Sequence, residues 1–197
     1  MARSKDIELE KSRKAEILSA ASRCFVRAGL HQASMRQICA EAKLSAGAVY
    51  NYFASKEAII EGLADAERAE ITELAEYLNG QENCFKAIVQ TARWIVEETS
   101  PEEMQLQLEM AAEAGRNERI RTLIQQNGDA LHACLLDAAH RGQTANQITR
   151  AETAEALTDY VTALYEGFLG RATFTDDKQR KAYAVRTEKA VARLLAP

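Results

Sequence analysis

The stretch Ser45–Glu57 reads SAGAVYNYFASKE, and its reading decides the fold. Three very small residues, Ala46, Gly47 and Ala48, come first. Tyr50, Tyr52 and Phe53 follow within four positions, and Ser55, Lys56 and Glu57 close the stretch. Val49 and Phe53 are four apart, so on a helix they share one face and can hold it against a core. The rest of the segment is bare at its start and then offers phenol and ammonium groups. A helix built that way lets its backbone approach another body closely.

The residues before it supply two more helices. Ile17, Ala21, Cys24, Phe25 and Ala28 follow the i, i+4, i+7, i+8, i+11 pattern, and Gly29 stops it. Ser34-Met-Arg-Gln37 fits a capping box, so a short helix with Met35, Ile38 and Cys39 inward starts there. Ser45 caps the next. Two short helices joined by a turn of three or four residues predict a helix-turn-helix, whose second helix lies in a DNA major groove with its N-terminal residues at base edges. Ala46, Gly47 and Ala48 would then admit the bases. Tyr50 and Tyr52 would aim hydroxyls at phosphates, and Lys56 would add a cation at the next helix start.

Charge follows the same division. The net charge is −4 over 197 residues, yet residues 1–56 hold ten Lys and Arg against five Asp and Glu. A basic head on an acidic body is expected when one end meets a polyanion. For the tail cations Arg3, Lys5, Lys11, Arg13 and Lys14, phosphate contact and a solvated end remain equally open.

Downstream the periodicity stays helical. Ser55 caps a long helix with Ile60, Leu63, Ala64, Ile71, Leu74 and Leu78 in one stripe, ended by Asn79-Gly80. Phe85, Ile88, Val89, Ala92, Ile95 and Val96 form another stripe. Ser100-Pro-Glu-Glu103 combines a cap, a proline at the first position and acidic residues in the first turn. Ile120 to Ala138 marks a long helix ending near Gly142. Thr149-Arg-Ala-Glu152 fits a further capping box, and a last helix runs from about Asp177 to Leu195. With two prolines and nine glycines, and no alternating strand pattern, the expectation is an all-α protein of about nine helices. Residues 1–55 would be the helix-turn-helix domain and residues 56–197 a larger helical domain.

Several function classes find no support. The four cysteines form no CxxC or Cys/His spacing, so buried free thiols are expected. His132 and His140 lack a third ligand, and neither a metal nor a cofactor is expected. No phosphate loop, G-x-S-x-G, H-E-x-x-H or catalytic triad is present, which argues against an enzyme and leaves no catalytic residue to name. The N-terminus has no apolar core of a signal peptide, and no apolar run could span a bilayer. A cytoplasmic protein without membrane contact is the expectation.

The segment ASMRQICAEAKLSAGAVYNYFASKEAII resembles the DNA-binding domain of the tetracycline-repressor (TetR) family of bacterial regulators. The family pattern is roughly T-x-x-x-I-A-x-x-A-G-V-S-x-G-x-x-Y-x-H-F-x-x-K-x-x-L. Ile38, Ala42, Ser45, Gly47, Tyr50, Phe53 and Lys56 match it, over about residues 13–62 of this chain. Three positions depart. Lys43 replaces the turn glycine and must accept a left-handed backbone, at roughly 1–2 kcal/mol, or reshape the turn. Tyr52 stands where His is usual, and Cys39 where Ala is.

The resemblance implies double-stranded DNA as a partner, with contacts from Ser34, Arg36, Ser45, Ala46, Gly47, Ala48, Tyr50, Asn51, Tyr52 and Lys56. Arg36 falls where some family members place an arginine on a base, and Arg is suited to bidentate pairing with guanine. It also implies a small-molecule effector and a homodimer on a palindromic operator. For the effector pocket, apolar stripes interrupted by polar residues single out Leu63, Glu67, Trp94, Met104, Leu108, Asn127, Leu131 and Cys134. Met104, Leu106, Leu108 and Met110 make residues 101–113 apolar on more than one side. For the dimer, residues 150–172 and 177–195 offer Leu157, Val161, Leu164, Phe168, Val185 and Val191, with Gly167 and Gly170 allowing close approach. The resulting expectation is a repressor released by its effector. Action as an activator, action without a small ligand, and a helical protein-interaction module stay open as alternatives.

Overall fold

A computed structural model describes residues 2–197, with side chains from Glu8 onward. Among them lie nine helices and no strand: α1 Ala2–Gln32, α2 Met35–Ala42, α3 Ala46–Tyr50, α4 Lys56–Asn79, α5 Cys84–Glu98, α6 Pro101–Ala114, α7 Glu118–Thr144, α8 Ala154–Ala172 and α9 Asp177–Leu195. The chain forms two compact units, residues 1–67 with 105–124 and residues 68–104 with 125–197.

In the first unit the predicted stripe of α1 is buried: Ile17, Ala21, Cys24 and Phe25 are each at most 1 % exposed. Gly29 breaks the helix with φ 77° and ψ 155°, a conformation that residues with a Cβ rarely adopt. The break turns Leu30 and Ala33 into the core. Ile38 from α2, Val49 from α3, Phe53 and Ile59 complete that core, and Met110 of α6 and Ile120 of α7 pack into it. Each such side chain contributes on the order of 1.5–3 kcal/mol when fully buried.

In the second unit α5 and α8 pack on α9. Ile88, Leu135, Ala138, Ile148, Leu157, Val161, Val191 and Leu195 form its core. Met104, Leu169 and Ala172 make a smaller cluster beside Tyr165 and Tyr183.

The caps follow the sequence with one exception. Ser100 Oγ accepts from Glu103 N at 3.2 Å while Glu103 Oε2 accepts from Ser100 N at 2.7 Å, a reciprocal box at the start of α6. Asp176 caps α9. The Thr149–Glu152 box does not form. α8 starts at Ala154, and its cap is Thr153, which accepts from Ala156 N. Tertiary bonds claim the earlier residues. Thr149 N donates to Leu195 O at 3.0 Å, and Gln143 Nε2 donates to Thr149 O and Glu152 O.

The cysteines are free thiols. Cys24, Cys39 and Cys84 are buried and Cys134 half-buried, and burial pushes the Cys24 and Cys134 thiols above their ordinary range. Among the described residues no three His, Cys, Asp or Glu could share a metal ion. None of the described helices is long and apolar enough to cross a membrane. His132 and His140 instead face Asp159 at 3.0 Å and Glu155 at 3.3 Å.

Candidate nucleic-acid interface

The head of the first unit is assembled by local hydrogen bonds. Ser34 caps α2: its Oγ accepts from Gln37 N at 3.3 Å, and Gln37 Oε1 accepts from Ser34 N at 2.8 Å. α2 then ends at Lys43, whose backbone is left-handed at φ 55° and ψ 36°. The lysine accepts the conformation usually given to glycine, and the turn keeps its shape. Its N–H donates to Ala40 O, and Leu44 N donates to Cys39 O at 3.0 Å. Ser45 Oγ accepts from Ala48 N at 3.2 Å and starts α3.

α3 sits on Val49, which is fully buried, and the following Phe53 is 7 % exposed. With those two anchored, Ser45, Ala46, Gly47, Tyr50 and Asn51 are exposed and Ala48 is half-buried. A Cβ added to Gly47 would meet nothing within 4 Å. Nothing within the subunit therefore requires a glycine there, and the open space suits close approach by an outside surface. Tyr50 is 50 % exposed. Tyr52 behaves differently, since it is half-buried and leans on the head's core.

The cations of the head divide into committed and available groups. Lys56 is committed: its Nζ donates to Leu30 O at 2.6 Å, His31 O at 3.2 Å and Ala33 O at 3.1 Å. Three bonds use all the donors of an ammonium. The expectation of a free phosphate-binding lysine is therefore modified, because Lys56 holds the end of α1. Arg23 and Arg27 both pair with Glu41. Arg13 pairs with Glu16 and Lys14 with Glu10 along α1, while the side chains of Arg3 and Lys5 lie outside the described residues. Arg36 is exposed and makes no ion pair among the described residues. The sequence reading assigned Lys43 a backbone role alone, yet its side chain is exposed in the turn just before α3. Its place between Ala42 and Ser45 was the available signal.

Of the residues expected to line an effector pocket, Leu63, Glu67 and Leu108 belong to the first unit and Trp94, Met104, Asn127, Leu131 and Cys134 to the second. Leu131 and Cys134 pack against the second unit's main core, and Met104 belongs to the smaller cluster. Asn127 is 3 % exposed. Leu63 packs on the head's core, and Glu67 is exposed. Trp94 is 58 % and Leu108 44 % exposed. The dimer expectations need a firmer correction. Leu157, Val161 and Val191 are at most 4 % exposed, because they fill the subunit's own core, and they have no surface to offer a second copy. Leu164, Phe168 and Val185 are half-buried. A Cβ at Gly167 or Gly170 would meet open space.

Comparison with known proteins agrees with the head's geometry. The family described as "Bacterial regulatory proteins, tetR family" matches residues 17–63, and "BetI-type transcriptional repressor, C-terminal" matches residues 87–196. The chain is 29 % identical over 151 residues to the HTH-type transcriptional regulator UidR of Escherichia coli K12, covering 73 % of this chain and 74 % of that one. Salmonella enterica GusR shares the fold, with TM-score 0.75 and 22 % identity over 93 % of this chain and 95 % of that one. So does the Bacillus subtilis regulator FadR, solved in complex with stearoyl-CoA, with TM-score 0.73 and 17 % identity over 92 % and 97 % of the two chains. With a capped helix-turn-helix presenting a bare α3 and a body matched over residues 87–196, this chain belongs to the TetR family of DNA-binding transcriptional regulators.

Proposed function

We propose that the protein is a cytoplasmic repressor that binds a palindromic operator as a homodimer and leaves it when a small-molecule effector binds. The observation that carries this reading is α3: it is anchored from behind by Val49 and Phe53, while Ala46, Gly47, Tyr50 and Asn51 stand exposed. Gly47 and Ala46 would let the helix backbone approach base edges. Tyr50 would reach a phosphate, and Arg36 at the start of α2 would read a base. Ser34 and Ser45 would present the capped helix starts to the sugar-phosphate backbone, where backbone N–H groups favour anions. One α3 buries little surface. Two, placed about 34–36 Å apart, read a two-fold site.

The second copy would dock on the faces of α8 and α9 that the subunit leaves uncovered, through Leu164, Phe168 and Val185, with Tyr160 beside them at 47 % exposure. The effector would act by favouring a dimer spacing that does not fit the operator. α4, one unbroken helix from Lys56 to Asn79, would carry the change to the head. A ligand shifts such an equilibrium only by its differential affinity for the two states, so operator DNA must weaken effector binding by the same factor.

Selection from randomised duplex DNA tests the reading, with affinities repeated at several salt concentrations. A selected palindrome whose affinity falls steeply with salt supports it. Weak, sequence-independent and salt-insensitive binding would refute it and favour a helical interaction module.

A further inference from the structure

α8 and α9 lie side by side within the second unit, and their contacts fix which way each edge of the pair points. On α8, the Phe168 ring stands 5.9 Å from that of Tyr183, and Arg171 Nε donates to Tyr183 Oη at 3.5 Å. That edge faces α9. The opposite edge faces α7, where His140 and His132 reach Glu155 and Asp159. Glu166 follows Asp159 by seven residues, two helical turns, and shares this outer rim. On α9, Tyr183 marks the edge toward α8. Lys178, Lys181, Val185 and Lys189 recur at i, i+3, i+7 and i+11 on the edge away from it.

Charge is sorted between the two rims. Glu155, Asp159 and Glu166 stand exposed along α8, and Lys178, Lys181 and Lys189 stand exposed along α9. The carboxylates of α9 are engaged elsewhere, Glu188 with Arg93 and Asp177 with Arg180. Neither the three lysines nor Glu166 makes an ion pair among the described residues. Between the rims lies the uncovered face with Tyr160, Leu164 and Phe168. A two-fold partner can cover that face in two ways. With α8 on the second copy's α8, acidic rim meets acidic rim, and opposed like charges cost affinity. With α8 on the second copy's α9, acidic rim meets basic rim, and the two-fold repeats the match on the other side.

We propose that these rims dictate how a second copy docks: α8 of each subunit lies on α9 of the other, with the Glu166 rim against the Lys178–Lys181–Lys189 rim. The inference rests on the homodimer of the proposed function and adds the pairing that selects it. Apolar contact holds either crossing alike, so charge makes the choice.

The test co-expresses two differently tagged full-length chains and weighs the intact dimers by native mass spectrometry. Two parent chains mix at random, with about half of the dimers mixed. Glu166→Lys turns the acidic rim, and Lys181→Glu with Lys189→Glu turns the basic one. All three positions are exposed, so the core is untouched. Paired with each other, the two variants regain opposite charges on both sides of the dimer, and about nine-tenths of the dimers should be mixed. Either variant paired with the parent should stay near half, since one mismatched rim lies midway between none and two. That result also shows that both variants fold and dimerise. The proposal is overturned if the two variants pair only at random. It is overturned as well if Glu166→Lys with the parent rises clearly above half, which is the outcome for α8 on α8. A parent that weighs as a monomer would overturn the homodimer reading with it, so the two failures are told apart.

Discussion

Lys56 Nζ donates to the Leu30 carbonyl oxygen at 2.6 Å, and the same ammonium also reaches His31 O and Ala33 O. These carbonyls follow the break at Gly29, where α1 loses its regular hydrogen bonds. A side chain at the start of α4 thus satisfies the end of α1 and ties together the two helices that frame α2 and α3.

Replacing Lys56 should therefore cost stability as well as DNA affinity. Lys56→Met leaves three carbonyls without their donor, and a loss of about 1–3 kcal/mol is expected. Thermal unfolding without DNA checks this. A melting temperature equal to the parent's would show that the bonds hold nothing.

Lys43 keeps a left-handed backbone at φ 55° in the turn between α2 and α3. Lys43→Gly removes the steric cost of that conformation and should stabilise the protein by about 1 kcal/mol, less what the glycine's freedom adds to the unfolded chain. Denaturant unfolding at constant m-value measures it. If its exposed ammonium also meets a phosphate, DNA affinity should fall while stability rises.

Arg36 is exposed on α2 and unpaired among the described residues, so its removal should leave the fold alone. Arg36→Ala is expected to relax preference at one base position, at about 1–3 kcal/mol of discrimination. A repeated binding-site selection reads this directly. An unchanged preferred sequence would remove Arg36 from base readout.

Gly62 packs where a side chain would not fit. A Cβ there would stand 2.7 Å from Phe53 Cε1 and 3.1 Å from Leu18 Cδ2. Gly62→Ala should displace Phe53, which anchors α3, and destabilise the protein by about 1–3 kcal/mol. Operator affinity should fall further than stability alone explains. Loss of stability with unchanged affinity in the folded fraction would separate Phe53 from the placement of α3.

Glu41 takes Arg23 Nε at 2.7 Å and Arg27 Nη2 at 3.1 Å, which hold its carboxyl below the usual value of 4.5. A lowered carboxyl pKa in the folded state gives stability that is complete above the unfolded-state value and lost as pH falls through the folded one. Glu41→Gln should therefore shift the urea midpoint downward at neutral pH, and the difference should close on acidification below 4.5. A difference that persists at pH values well below that would assign the effect to packing.

Much of the head was legible because its determinants are local. The Ser34 box, the Ser45 cap, the Gly29 break and the Val49–Phe53 pair each lie within a few residues, and each formed as the spacing required. The Thr149–Glu152 box has equally good local credentials and did not form, because Leu195, distant in the chain, and Gln143 of the preceding helix supply competing partners. Val161 and Val191 illustrate the same limit. Their spacing marks an apolar face, but spacing does not distinguish a face turned to the subunit's own core from one turned to a partner.

The sequence alone determined the number and order of the described helices, all but one of the caps it predicted and the helix-turn-helix, since periodicity, capping and turn chemistry act over one or two turns of chain. Only the tertiary structure decided that residues 105–124 pack with the head, that Lys56 serves the end of α1, and that Glu113 is buried at the edge of a cavity. Those outcomes depend on groups that lie 23 to 85 residues apart in sequence, and no local pattern encodes which of them will meet.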